Sequence, residues 1–106
     1  MTMIDIARDG AEFSILCQGH AGYADAGNDI VCAAVSTLVQ TLIAYMDSHD
    51  MACKYVVKPG YAWIYGKECI EAFMCIKTGL ELIESNYPQH VSITKGCTIF
   101  IDTDCV

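Results

Sequence analysis

Gly19-His20-Ala21-Gly22-Tyr23-Ala24-Asp25-Ala26-Gly27-Asn28-Asp29 runs straight into Ile30-Val31-Cys32-Ala33-Ala34-Val35-Ser36-Thr37-Leu38-Val39-Gln40. Three glycines among small side chains cannot pack well, so the first half reads as a loop, expected to be mobile. Asp29 then offers a carboxylate to the unpaired N–H groups of a helix start, and the helix is expected over Ile30 to Asp47. Val31, Val35, Leu38, Leu42 and Tyr45 follow helical spacing and are the expected buried face. Ser36, Thr37, Gln40 and Thr41 form a narrower polar stripe. Cys32 stands four residues before Ser36 and eight before Gln40, which places it on that stripe and in the first turn.

Strands are expected on both sides of this loop and helix. Met3 to Ile6 and Phe13 to Cys17 alternate apolar and polar residues around Asp9-Gly10, a hairpin signal because both turn residues tolerate positive φ. Cys53 to Val57 and Tyr61 to Tyr65 flank Pro59-Gly60, a pair that favours a type II turn or a longer loop. Glu68 to Tyr87 reads as a second amphipathic helix, with Cys69, Phe73, Ile76, Leu80 and Ile83 inward and Pro88 ending it. Gln89 to Thr94 reads as a strand, Lys95-Gly96 as a turn and Cys97 to Ile101 as a last edge strand. The order ββαββαβ(β) predicts an α+β fold, a single mixed sheet carrying two helices, in one domain over residues 1–106.

Composition narrows the function. The chain has 106 residues, 13 acidic against 6 basic, and a net charge of −7. Affinity for a phosphate backbone rests on Lys and Arg, so nucleic acid is not an expected partner. A hydrophobic content of 54% excludes disorder. Ile30 to Met46 contains Ser36, Thr37, Gln40 and Thr41 and is expected to fall short of a membrane span. The start lacks the pattern of a secretory signal. Seven cysteines, an odd count with no C-x-x-C, do not suit a secreted disulfide scaffold. A reduced cytoplasmic protein is expected.

One cysteine differs from the rest by position. The thiolate, not the thiol, is the nucleophile, and a helix N-terminus favours an anion through its unpaired N–H groups and dipole. A loop histidine can take the thiol proton, and His20 lies twelve residues before Cys32. The same N–H groups would stabilise an oxyanion. Asp29 reads in two ways, as the helix cap or as a group orienting His20. Its charge would raise the thiol pKa, so capping or orientation is favoured over direct activation. Ser36, one turn below Cys32, would hydrogen-bond the thiolate, a neighbour or the substrate, or simply sit on the polar stripe. A cysteine in an apolar helix is more often an inert small hydrophobe.

The segments Gly19-His20-Ala21 and Gly27-Asn28-Asp29-Ile30-Val31-Cys32-Ala33-Ala34-Val35-Ser36 resemble the signature of the ribosomal-processing cysteine proteases called Prp. The element order fits that family, whereas Cys97 to Val106 looks less typical of it. The resemblance implies that Cys32 and His20 are catalytic and that Asp29 and Ser36 support them. It implies a glycine-rich loop, here with Gly19, Gly22 and Gly27, that gates substrate, and it implies a homodimer. Its substrate would be the N-terminal extension of a basic protein of the large ribosomal subunit, number twenty-seven in the bacterial naming. That extension is cut after an apolar, aromatic-containing stretch and before a Lys-rich segment, which suits an acidic enzyme. No cofactor is implied.

Other clusters carry less. Cys17, His20, Cys32 and Asp29 do not show the paired short spacings of structural zinc, so no metal is expected. Cys69 and Cys75 read as core filling and His49 as a solvated cap of the first helix, while His90 receives no role. Tyr61, Trp63 and Tyr65 share one strand face, expected to pack against a helix or else to form a peptide or dimer surface. Two other functions stay open on the same residues: a non-catalytic peptide- or ribosome-binding module, and a thiol hydrolase or transferase for a small acyl substrate.

Overall fold

The computed structural model describes residues 1–25 and 27–103. Period-two burial builds the first hairpin: Thr2, Ile4 and Ile6 of β1 (Thr2–Asp9) are buried, while Met3 and Asp5 are exposed. β1 turns into β2 (Glu12–Gln18) through Gly10-Ala11, with Asp9 opposite Glu12. Gly10 has φ +62°, the conformation a type II′ hairpin needs at its first central residue, so the turn centre lies one residue beyond Asp9-Gly10. Pro59-Gly60 needs no longer loop: it joins β3 (Cys53–Lys58) to β4 (Tyr61–Lys67) directly, with Lys58 opposite Tyr61.

The sheet runs β3-β4-β2-β1-β5, where β5 is Val91–Gly96. All neighbours are antiparallel except β1 and β5. Helix α1 (Ile30–Ser48) carries the chain from β2 over β4 to β3, and α2 (Ile70–Asn86) carries it from β4 over β2 and β1 to β5. These crossovers start from antiparallel strands and run opposite ways, so right-handed connections place both helices on one face. There α1 and α2 pack on each other. The fold is therefore α+β, a five-stranded mixed sheet with two helices in the order ββαββαβ.

Between helices and sheet lies the core. Phe13 of β2 stacks on Phe73 of α2, with ring centroids 4.4 Å apart, beside Ile4, Ile15, Ile64 and Leu80. Each such side chain, fully buried, contributes about 1.5–3 kcal/mol. The face of α1 is rotated from expectation: Val39, Ile43 and Met46 are buried with Val31, Val35 and Leu42, whereas Tyr45 is exposed. The sheet takes the Val39 side of the helix. Leu38, half-buried, packs instead on Gly79 of α2, and Tyr45 stacks on His49 at 4.2 Å. By length and composition alone α1 is apolar enough to cross a membrane, contrary to the expectation from Ile30 to Met46. Six of its residues are buried in the core it shares with the sheet and α2.

The face without helices holds the second departure. Cys97 to Ile101 forms no strand, and β5 runs through Lys95-Gly96, which were expected to turn. Residues 97–103 instead strap the face that carries Ser14, Leu16, Tyr61, Trp63 and Tyr65. Phe100 N–H donates to Ser14 Oγ at 3.0 Å, Trp63 Nε1–H donates to the Phe100 carbonyl at 3.0 Å, and Tyr61 O–H donates to Asp102 Oδ2 at 2.5 Å. Trp63 is 0% exposed. The aromatic face thus packs against this strap, not against a helix. An extra edge strand has little to gain here, because Glu84 of α2 already accepts the Ile93 N–H of β5 at 2.7 Å. Cys75 and Cys97 are exposed, so they fill no core, and Cys105 lies outside the described residues.

Candidate active site

Asp29 begins the site. Its backbone is extended, with φ −84° and ψ 100°, and its Oδ1 accepts the N–H groups of Val31 and Cys32 at 3.0 and 2.9 Å. Its Oδ2 accepts those of Tyr23 and Ala24 at 3.0 and 3.3 Å. One carboxylate thus caps α1 and clamps the loop above it. The Cys32 amide, then the loop amides, hold the Asp29 carboxyl below its ordinary value. Capping also changes one expectation. Val31 and Cys32 give their N–H groups to the side chain, and Ala33 gives its own to the Asp29 carbonyl at 3.1 Å. These amides are occupied and do not wait for an oxyanion.

The half-buried Cys32 lies in the first turn, and its sulfur has a donor of its own. Ala21 N–H points at Sγ with N···S of 3.1 Å. That hydrogen bond fixes the direction of the sulfur at the start of the helix. Three other thiols sit where burial favours the neutral form. Burial, and secondarily the charge of Asp5, push the Cys17 thiol up to about 12. Burial likewise raises Cys69, and burial with the nearby Asp47 raises Cys53.

Cys32, His20, Ser36 and Gly19 line one pocket of about 410 Å³, whose far wall is the β3–β4 turn. The exposed His20 ring lies against Gly60 in that turn, where a Cβ would stand 3.1 Å from Nε2. Gly19 ties the loop to the same turn by donating its N–H to the Gly60 carbonyl at 2.9 Å. Gly19 also has φ +88°, and a Cβ there would meet the Met1 carbonyl oxygen at 2.7 Å. Ser36 sits one turn below Cys32, its Oγ accepting from Gln40 Nε2 at 2.8 Å. Val35, Val39, Val57 and Ala62 give the pocket an apolar floor. Gly22 and Gly27 lie on the loop at φ +71° and +88°. Among the described residues, no three His, Cys, Asp or Glu side chains gather closely enough to hold a metal.

The Ala21 amide and the Gly60 wall were missed in the sequence. Gly60 was legible only as a turn residue, and nothing in a lone alanine announces a donor.

A family model described as cysteine protease Prp matches residues 1–92. No curated protein matches the chain by sequence. The fold is similar to that of the essential ribosomal processing protease Prp from S. aureus with a covalently linked product peptide. That match has 19% identity and a TM-score of 0.82, covering 90% of this chain and 99% of that one. The S. aureus protease with a substrate peptide matches at 18% identity and 0.76, with coverage of 90% and 99%. SMU.848 from Streptococcus mutans matches at 23% identity and 0.71, with coverage of 92% and 96%. The family match spans the loop, α1 and both walls of the pocket, and it stops short of the strap. From the hairpin to the start of β5, the chain belongs to the cysteine protease Prp family.

Proposed function

We propose that this chain is a ribosomal-processing endopeptidase with Cys32 as nucleophile and His20 as acid and base. Its substrate is the N-terminal extension of a basic large-subunit ribosomal protein, the one numbered twenty-seven. The observation that carries the reading is the Ala21 N–H donated to Cys32 Sγ at 3.1 Å, at the start of a capped helix and on a pocket that His20 also lines. The peptides held by the two S. aureus structures support a peptide as the occupant.

The chemistry follows from these groups. Thiolate Sγ attacks the scissile carbonyl carbon, and the C–N bond breaks as His20 gives its proton to the leaving amine. His20 then takes a proton from water, whose oxygen displaces Sγ and releases the new carboxyl end. The His20 ring, now against Gly60, must swing toward Sγ, and the loop carrying Gly19, Gly22 and Gly27 closes with it on the bound extension. Asp29 supports the site by fixing where α1 starts. Ser36 gives its hydroxyl hydrogen to the peptide or the sulfur, since its oxygen already accepts from Gln40. The apolar floor receives the residue before the cut, and the chain's acidity attracts the Lys-rich segment after it. The same reading carries the homodimer and the cytoplasmic setting.

Incubating the protein with the extended ribosomal protein and weighing the products tests this. A product shortened by the extension is expected. Full-length substrate in a stable complex would mean a binding module, and hydrolysis of small thioesters alone would mean an acyl hydrolase. Either result overturns the reading.

A further inference from the structure

His90 is 69 residues from Ala21 in sequence, yet its Nδ1 stands 2.9 Å from the Ala21 carbonyl oxygen. A carbonyl only accepts, so Nδ1 carries the hydrogen. We propose that His90 is a positioning residue for Cys32: by holding the Ala21 carbonyl it fixes the Ala21 N–H on Sγ. This rests on the reading of Cys32 as the nucleophile.

Geometry carries the argument. Ala21 is buried, so its Cα is fixed by packing, but a packed alanine can still rotate the peptide planes on either side. One plane is pinned by Sγ, through the N–H, and the other by His90, through the carbonyl. The next residue, Gly22, has φ +71°, and even a Cβ there would meet nothing within 4 Å, so it offers no resistance to rotation. Beyond Gly22, the Tyr23 and Ala24 amides are held by Asp29. His90 is therefore the anchor on the side of Ala21 away from Sγ.

His90 is itself built in. It closes the Tyr87-Pro88-Gln89-His90 turn by donating its N–H to the Tyr87 carbonyl at 2.9 Å, and its own carbonyl accepts the Thr2 N–H at 2.9 Å. Tyr23 meets its ring edge-on at 5.4 Å and meets Tyr87 at 5.5 Å. The linker between α2 and β5 thereby reaches across to the nucleophile loop.

Two substitutions separate the hydrogen bond from the ring. His90→Phe keeps an aromatic ring against Tyr23 and removes the donor. His90→Asn removes the ring and places an amide N–H near the Nδ1 position. Cleavage of the extended substrate, iodoacetamide labelling of Cys32 at neutral pH and thermal unfolding are measured for both, beside Cys32→Ala. The expected result for His90→Phe is about a tenfold fall in kcat, the scale of one lost hydrogen bond, with KM unchanged and slower Cys32 labelling. His90→Asn is expected to recover kcat to within about threefold of the parent, and both variants to unfold as the parent does. Parent-like kcat and labelling in His90→Phe, with Cys32→Ala inactive, overturn the positioning role alone. So does an equal loss in both variants that follows their Tm. A Cys32→Ala variant that still cleaves overturns the underlying reading instead.

Discussion

At the scale of single residues, Asp29 couples the helix to the loop, and its titration has a definite sign. Its native carboxyl titrates below the ordinary value of 3.8, because main-chain N–H groups favour the charged form. The stability it contributes is therefore complete above that value and is lost as pH falls through the lower native one. Asp29→Asn should lower Tm at neutral pH, and the gap from the parent should shrink as the solution is made acid; thermal scans across pH check this, and a constant gap would contradict it. Gly19→Ala should be harmful for two separate reasons, its φ of +88° and the Met1 carbonyl 2.7 Å from the new Cβ. A loss of about 1–3 kcal/mol is expected, measured by urea unfolding. Asp29 and Cys32 were legible because a cap and a first turn are local features. His90 was not, since its partner comes from tertiary folding over 69 residues.

Between elements, two glycines set how closely helices and strands approach. A Cβ on Gly66 would overlap the Phe13 ring, which is 0% exposed and stacked on Phe73, so nothing there can yield. Gly66→Ala should cost about 1–3 kcal/mol or more. A Cβ on Gly79 meets Leu38 Cδ1 at 2.9 Å, the far end of a side chain that is only half-buried. The helix propensity gained by alanine, about 1 kcal/mol, offsets that shift, and Gly79→Ala should stay within about 1 kcal/mol of the parent. Denaturant midpoints compare the two directly. Both helices and β1 were legible from periodicity because each buries one face, whereas β3, with no fully buried residue, was legible from the Pro59-Gly60 turn beside it. Which apolar residues of α1 faced the sheet was less so: Leu38 and Val39 are adjacent, and only the position of α2 decides that Leu38 goes to Gly79.

Across the whole molecule, the strap converts an aromatic sheet face into a second, smaller core. Trp63 is the sole tryptophan, so its emission reports on that cover. A chain ending at Gly96 should show Trp63 fluorescence shifted to the red and a stability lower by about 2–4 kcal/mol. Unchanged emission would mean the strap does not shield the ring. An apolar run such as Cys97 to Ile101 fits an edge strand or a crossing equally well, and only the buried Trp63 and the Ile93 N–H held by Glu84 distinguish them. The pocket lies on the helix-bearing side of the same sheet, where loop, helix start and β3–β4 turn meet. Cys32, the thiol proposed as the nucleophile, lines it. The decisive probe is a peptide chloromethyl ketone bearing the apolar sequence that precedes the cut, with the modified cysteine mapped by mass spectrometry. One adduct per chain, on Cys32, with cleavage lost in proportion, is expected. An adduct on another cysteine, or full cleavage after Cys32 is blocked, would show that the nucleophile lies elsewhere.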